Sequence, residues 1–190
     1  MVKTVTVKLT ERFEKALVYA NHLHAEQIRK VSGVPYVSHL LSVTALVLED
    51  GGNEDEAIAA LLHDAVEDQG GVATRAEILK LFGERVVTIV DGCTEFDSLP
   101  KPPWKERKLR YLEQLRQGSA SVRRVALADK LHNGRSLLSD YQQQGEAIWS
   151  VFGAGREGIL WFYHSLISLF RQTNSSPMVE ELARVIGALE

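Results

Sequence analysis

Apolar positions recur at three- and four-residue intervals along almost the whole chain, the period of helices that bury one face. Thr10 reads as the N-cap of a first helix running to about Gln27, with Phe13, Leu17, Ala20 and His24 near one stripe. Gly33-Val34-Pro35 interrupts, and a second helix carries Val37 to Leu48 before Gly51-Gly52 stops it. Asn53 with Glu56 has the form of a capping box and starts a third helix, which the pattern carries through His63-Asp64 to Asp68. Gln69-Gly70-Gly71 ends it, Thr74 with Glu77 opens a short helix closed by Gly83, and Glu84 to Cys93 repeats the period.

Three of the five prolines, Pro100, Pro102 and Pro103, make Phe96–Pro103 the clearest loop. A helix from Trp104 to near Gly118 follows, then one from Ser121 to about Leu138 in which Val125–Ala128 reads as fully buried. Glycines 145, 153, 155 and 158 loosen the chain before two last helices, Arg156–Arg171 and Pro177–Leu189, the second capped by Ser176 with Pro177 at its first position. Strand-like alternation is confined to the short terminal stretch Val2–Leu9, and there is no internal repeat or low-complexity linker. The pattern predicts an all-α fold, one helical bundle over residues 1–190.

Composition narrows the partners. With 45% hydrophobic and 25% charged residues, the chain has the mix of a soluble globular protein with a full core. A net charge of -3 argues against a general nucleic-acid surface. The single cysteine, Cys93, excludes an intramolecular disulfide framework and suits a reducing cytoplasm. No apolar signal core follows Met1–Val5 and no 18-residue apolar run occurs, so a cytoplasmic protein without a membrane partner is expected.

The chemistry concentrates in Ala59-Ala60-Leu61-Leu62-His63-Asp64-Ala65-Val66-Glu67-Asp68. A helix that buries Leu61, Leu62 and Val66 tolerates four ionisable groups only if something compensates their desolvation, and a bound cation would. Glu67 lies four residues after His63 and Asp68 four after Asp64, so each pair shares a helix face. His63 and Asp64 thus read as metal ligands, with acid/base carboxylates one turn on. Two more ionisable outliers, His39 and Asp129, sit in apolar helix segments. Two imidazoles with two carboxylates form a mixed N/O set that suits Mn²⁺ or Fe²⁺ and, less well, Mg²⁺ or Zn²⁺.

His39, His63-Asp64 and Asp129 in that order resemble the H…HD…D pattern of the HD-domain metal-dependent phosphohydrolases. More narrowly, the chain is similar to the small stand-alone alarmone, (p)ppGpp, 3′-pyrophosphohydrolases. The motifs behind this are His24–Lys30, Gly33–His39, Ala60–Asp68, Phe82–Val86 and Leu127–Asn133, running from residue 13 to about 140. The resemblance implies hydrolysis of the 3′-pyrophosphate of a guanosine (or adenosine) polyphosphate, with release of pyrophosphate. It implies one divalent metal, with Mn²⁺ expected, on His39, His63, Asp64 and Asp129. It makes Glu67 and Asp68 the catalytic carboxylates, without deciding which is the base. Arg29 and Lys30 would lie against the nucleotide base and phosphates, and Asn133 and Ser136 would be further substrate contacts. His132 would support the site rather than ligate.

Plainer readings exist for several of these residues. Arg29-Lys30 is also a favourable cationic end to the first helix, and Ser136 an ordinary helix serine. Lys101, Lys105, Arg107 and Lys108 beside Trp104 could meet a leaving pyrophosphate, although a solvated face is slightly favoured for any one of them. The chain departs from the family pattern at Leu40, where proline is frequent, and at Val31, which separates Arg29-Lys30 from Ser32. At 190 residues it leaves no room for the synthetase domain of the long bifunctional relatives. Residues 141–190 match no family motif and read as core completion or the surface of a possible homo-oligomer. The alternatives are another HD nucleotide phosphohydrolase, such as a 5′-nucleotidase, or a non-catalytic nucleotide-binding module. The last would require a broken ligand set, and none of the four positions is broken.

Overall fold

The structure is a computed structural model that describes residues 7–95, 102–174 and 176–190. Among the described residues every regular element is a helix, so the all-α expectation holds. Val2–Leu9 and the Phe96–Pro103 loop fall largely outside the described residues. Helix α1 (Glu11–Leu23) starts where Thr10 caps it, the Thr10 side chain accepting from Arg12 N. It stops at Leu23, short of the expected Gln27, because the chain turns into a hairpin before Pro35. Arg29 N donates to Val34 O and Tyr36 N to Gln27 O, each at 2.9 Å, and Gly33 supplies the positive φ (70°) of the turn. Val34, preceding a proline, is disfavoured in helical conformation, which suits it to the hairpin.

Helix α2 (Val37–Glu49) and α3 (Glu54–Leu62) follow, the latter with both bonds of the Asn53/Glu56 capping box formed. The helix expected to run through to Asp68 is instead broken at His63–Asp64, leaving the short α4 (Ala65–Asp68). His63 Nδ1 donates to Ala60 O at 2.8 Å, the carbonyl that Asp64 N would use in an unbroken helix. Helix α5 (Gly71–Phe82) begins before Thr74, which does not cap it; the Thr74 hydroxyl donates to Gln69 O from within the first turn. Helices α6 (Glu84–Cys93) and α7 (Trp104–Gln117) lie close to expectation. Helix α8 (Ala120–Gln144) is longer than the pattern suggested and is capped by Ser119. A 3₁₀ turn (Gly145–Val151) occupies the glycine-rich stretch, before α9 (Gly155–Thr173) and α10 (Pro177–Gly187).

Helix α8 is the axis of the bundle, packing against α2, α3, α6, α7 and α10. Val125, Leu127, Ala128 and Leu131 are buried, together with Leu40, Leu61 and Leu62 from α2 and α3. Each such leucine is worth roughly 1.5–3 kcal/mol of burial, and together they fix the elements that carry the polar outliers. Leu166 and Phe170 of α9 and Leu182 and Ile186 of α10 belong to the same core. No helix of the described residues is long and apolar enough to cross a membrane.

One buried ion network locks α8 to the α2–α3 corner. Arg124 Nε lies 2.9 Å from Asp50 Oδ2 and Nη1 lies 2.7 Å from Glu56 Oε1, while Ser176 Oγ donates to the other Asp50 oxygen. Glu56 is only 2% exposed, so losing the guanidinium strands a buried carboxylate. Arg124→Met is expected to cost about 3 kcal/mol. In a chain of this size that corresponds to roughly 10 °C in Tm. Thermal denaturation checks this, and an unchanged Tm would show the network to be energetically idle.

Candidate metal and catalytic site

Three parts of the fold deliver the ionisable outliers to one place. Helix α2 brings His39, the break between α3 and α4 brings His63 and Asp64, and α8 brings Asp129. The side-chain ligand atoms of His39, His63 and Asp129 all lie within 4.8 Å of one another, and all three residues are buried. His39 Nε2 is 3.3 Å from His63 Nε2 and 3.3 Å from Asp129 Oδ1. Asp64 Oδ2 closes the group at 3.0 Å from His63 Nε2 and 3.5 Å from His39 Nε2.

The far side of each imidazole says which nitrogen is free. A carbonyl only accepts, so His63 Nδ1 carries the proton given to Ala60 O and its Nε2 presents a lone pair inward. His39 Nδ1 meets His132 Nδ1 at 2.7 Å. Burial, then the charges of His39 and Arg29, push His132 down to about 4, which favours its neutral form; with the Nε2–H tautomer of His132 its Nδ1 accepts from His39 and leaves His39 Nε2 free. Two inward Nε2 atoms backed by hydrogen bonds, facing two carboxylates, make a donor set that fits a divalent cation.

Electrostatics agree with that fit. Burial opposes charge on Asp64, yet the neighbouring His63 and then His39 hold its carboxyl well below the usual range. Burial likewise opposes charge on Asp129, but Lys130 and then the two imidazoles outweigh it. Burial would lower His63, and the Asp64 and Asp129 carboxylates raise it instead. Positive charge is therefore favoured at this spot.

A second tier fixes the carboxylates. Lys130 Nζ donates to Asp129 Oδ2 at 2.7 Å while lying over the Tyr111 ring, and Asn133 Nδ2 donates to Asp129 Oδ1. Tyr36 Oη donates to Asp64 Oδ2 at 2.6 Å. Sequence reasoning assigned no role to Tyr36, Lys130 or Gln27. The available signal was their place inside the Gly33–His39, Leu127–Asn133 and His24–Lys30 motifs.

Glu67 and Asp68 stand on α4, both exposed. Glu67 Oε2 accepts from Glu95 N at 3.2 Å, and Asp68 Oδ2 accepts from Gln27 Nε2 at 2.7 Å. Partial desolvation and then the charge of Asp64 push the Glu67 carboxyl up, against the Glu95 N–H. Arg29 does not end α1; the hairpin carries it to α8, where Nη2 donates to Asn133 Oδ1 at 2.9 Å and the guanidinium lies 5.8 Å from the Tyr36 ring centre. Ser136 is half-buried on α8, one turn beyond Asn133, whereas Lys30 is exposed on the hairpin. Lys108 is taken up by Glu95 and the Phe162 ring, Arg107 Nη1 lies 3.5 Å from Glu95, and Lys105 covers Trp161. Lys101 lies outside the described residues.

Comparison with known proteins places this arrangement. A family described as HD domain matches residues 16–160. A GTP pyrophosphokinase of Brucella ovis is 40% identical over 126 residues, covering 65% of this chain; the chain spans only 16% of that protein's length. A mouse guanosine-3′,5′-bis(diphosphate) 3′-pyrophosphohydrolase is 38% identical over 126 residues, 65% of this chain and 68% of the relative. A solved structure described as a metazoan ortholog of SpoT that hydrolyzes ppGpp superposes with a TM-score of 0.78 at 28% identity, covering 96% of this chain and 97% of the other.

Proposed function

Since the chain belongs to the HD-domain family, we propose that it is a metal-dependent hydrolase of alarmones, removing the 3′-pyrophosphate of a guanosine (or adenosine) polyphosphate. The observation that carries this reading is the convergence of His39, His63, Asp64 and Asp129, with the Arg29–Asn133 contact beside it. The mouse relative and the SpoT-like structure support the choice of substrate. A divalent cation on those four residues, for which the N/O donor set favours Mn²⁺, would supply Lewis acidity and an acidified water.

The chain's own groups do the rest. Glu67 and Asp68, one turn past the ligands, handle the protons of the attacking water and the departing ribose 3′-oxygen. Arg29 and Lys30 on the hairpin hold the base and phosphates, Asn133 ties Arg29 to the Asp129 helix, and Ser136 adds a polar contact one turn on. The free thiol of Cys93 supports a cytoplasmic setting.

A release assay with Mn²⁺ and a panel of 3′-pyrophosphorylated and simple 5′-nucleotides tests the reading. Pyrophosphate release from the 3′-pyrophosphorylated guanosine nucleotide is expected; cleavage of 5′-phosphomonoesters alone would replace it with a nucleotidase reading. The hairpin cation sharpens the test, because a substrate charged at both ends of its ribose gains from a contact away from the metal. Arg29→Ala is expected to raise KM for the alarmone about tenfold, ~1.4 kcal/mol, while leaving any phosphomonoester turnover nearly unchanged. Equal loss on both substrates would deny Arg29 a role in substrate choice.

A further inference from the structure

The hairpin after α1 carries more than Arg29. Asp68 is the last residue of a four-residue helix and is exposed, so its carboxylate has little packing to hold it in one rotamer. Gln27 does hold it, through the 2.7 Å bond from Nε2 to Asp68 Oδ2. An ionised carboxylate only accepts, so the amide nitrogen of Gln27 must face Asp68 and the amide oxygen must face away.

That oxygen is fully engaged. Gln69 Nε2 donates to Gln27 Oε1 at 2.6 Å, and His24 Nδ1 donates to the same oxygen at 2.6 Å. A flipped amide would turn its oxygen onto the Asp68 carboxylate, so the orientation with Nε2 on Asp68 is the one that satisfies Asp68, Gln69 and His24 together. His24 is itself fixed: it is 2% exposed and stacks on Tyr36 with ring centres 5.3 Å apart and planes 16° from parallel. The backbone completes the frame, with Gln27 N donating to His24 O at 3.1 Å and Tyr36 N to Gln27 O at 2.9 Å.

We propose that Gln27 is a positioning residue for Asp68, its amide locked by His24 and Gln69 so that the hairpin presenting Arg29 to the nucleotide also orients the carboxylate. The inference rests on the reading above that Asp68 takes part in proton transfer. Tyr36 extends the same logic to the metal side, since its hydroxyl sits on Asp64 from the far strand of the hairpin. One rigid turn thus bears on three components of the site: Arg29, Asp64 and Asp68.

A double-mutant cycle on the metal-loaded full chain separates these roles. Gln27→Met keeps the length of the side chain and removes its donor. It also takes the acceptor from His24 and Gln69, so a modest fall in Tm is expected beside a kcat for pyrophosphate release lowered about tenfold, as misplacement of a catalytic group does, with KM and metal content near wild type. Added to Asp68→Asn, it should cost nothing further, because the group it positions is already lost. Gln69→Met, which removes one donor from the amide oxygen, should repeat the pattern at about threefold and serves if Gln27→Met folds poorly. Multiplying losses in the double variants, or a fall in Tm that accounts for the lost rate, would overturn the proposal. Wild-type kcat in Asp68→Asn alone would remove Asp68 from the chemistry, a distinct failure that takes the underlying assignment with it.

Discussion

Asp64→Ala is expected to empty the metal site and abolish turnover while leaving the helical fold in place. Asp64 contributes an oxygen 3.0 Å from His63 Nε2 and 3.5 Å from His39 Nε2, and one of the two negative charges facing the imidazoles. Without it three ligating side chains remain, with a single carboxylate to offset a dication. The loss should be on the order of 10³-fold or more, beyond the roughly 10–100-fold typical of residues that merely support a ligand. Stability should change little, because the Asp64 side chain is 22% exposed and its removal opens no core cavity. Elemental analysis of the purified variant, with far-UV circular dichroism as the fold control, checks both halves. Full metal occupancy in Asp64→Ala would take this residue out of the ligand set.

Glu67→Gln separates proton handling from metal binding. The substitution keeps the size of the side chain and leaves an oxygen to accept from Glu95 N, so the 3.2 Å contact that holds this residue survives. What disappears is the ability to accept a proton. A fall in kcat of roughly 10² or more is expected, the usual contribution of a positioned acid or base, with metal content and KM preserved. The pH profile supplies the sign. A general base works deprotonated, so wild-type kcat declines as pH falls through the Glu67 pKa, and the variant should lack that limb. Partial desolvation and the Asp64 charge raise this carboxyl, bringing it nearer to neutrality, where a base is most effective. An unchanged kcat would leave Glu67 as a helix-end residue and pass the role to Asp68, whose tether to Gln27 would then matter more.

The helices and most of their boundaries were legible in the sequence, because their causes are local. Apolar spacing, the Thr10 and Ser176 caps, the Asn53/Glu56 box and Pro177 act within a turn or two of where they stand. The kinds of candidate ligand were legible for a related reason: His39, His63 and Asp129 are ionisable groups in apolar helix segments, and burial of such groups demands a partner. Sequence could not show that they converge, since α8 crossing α2 and α3 is decided by packing between segments far apart in the chain.

Where local and non-local forces compete, the local reading failed. The pattern carried one helix through His63, but its imidazole takes the Ala60 carbonyl and faces the candidate metal site, so the helix breaks at two of the proposed ligands. The pattern likewise carried α1 toward Gln27, whereas Gly33 and Pro35 fold that stretch into the hairpin that reaches Asn133, Asp64 and Asp68. Gln27 and Tyr36 left no trace as outliers because they are uncharged, and a neutral polar residue on a loop raises no desolvation question until its partner is known. The sequence by itself determined which elements form and which charged side chains need compensation. Only the tertiary structure decided which neutral groups orient them, because a hydrogen bond between distant segments depends on their mutual placement and on nothing written within either one.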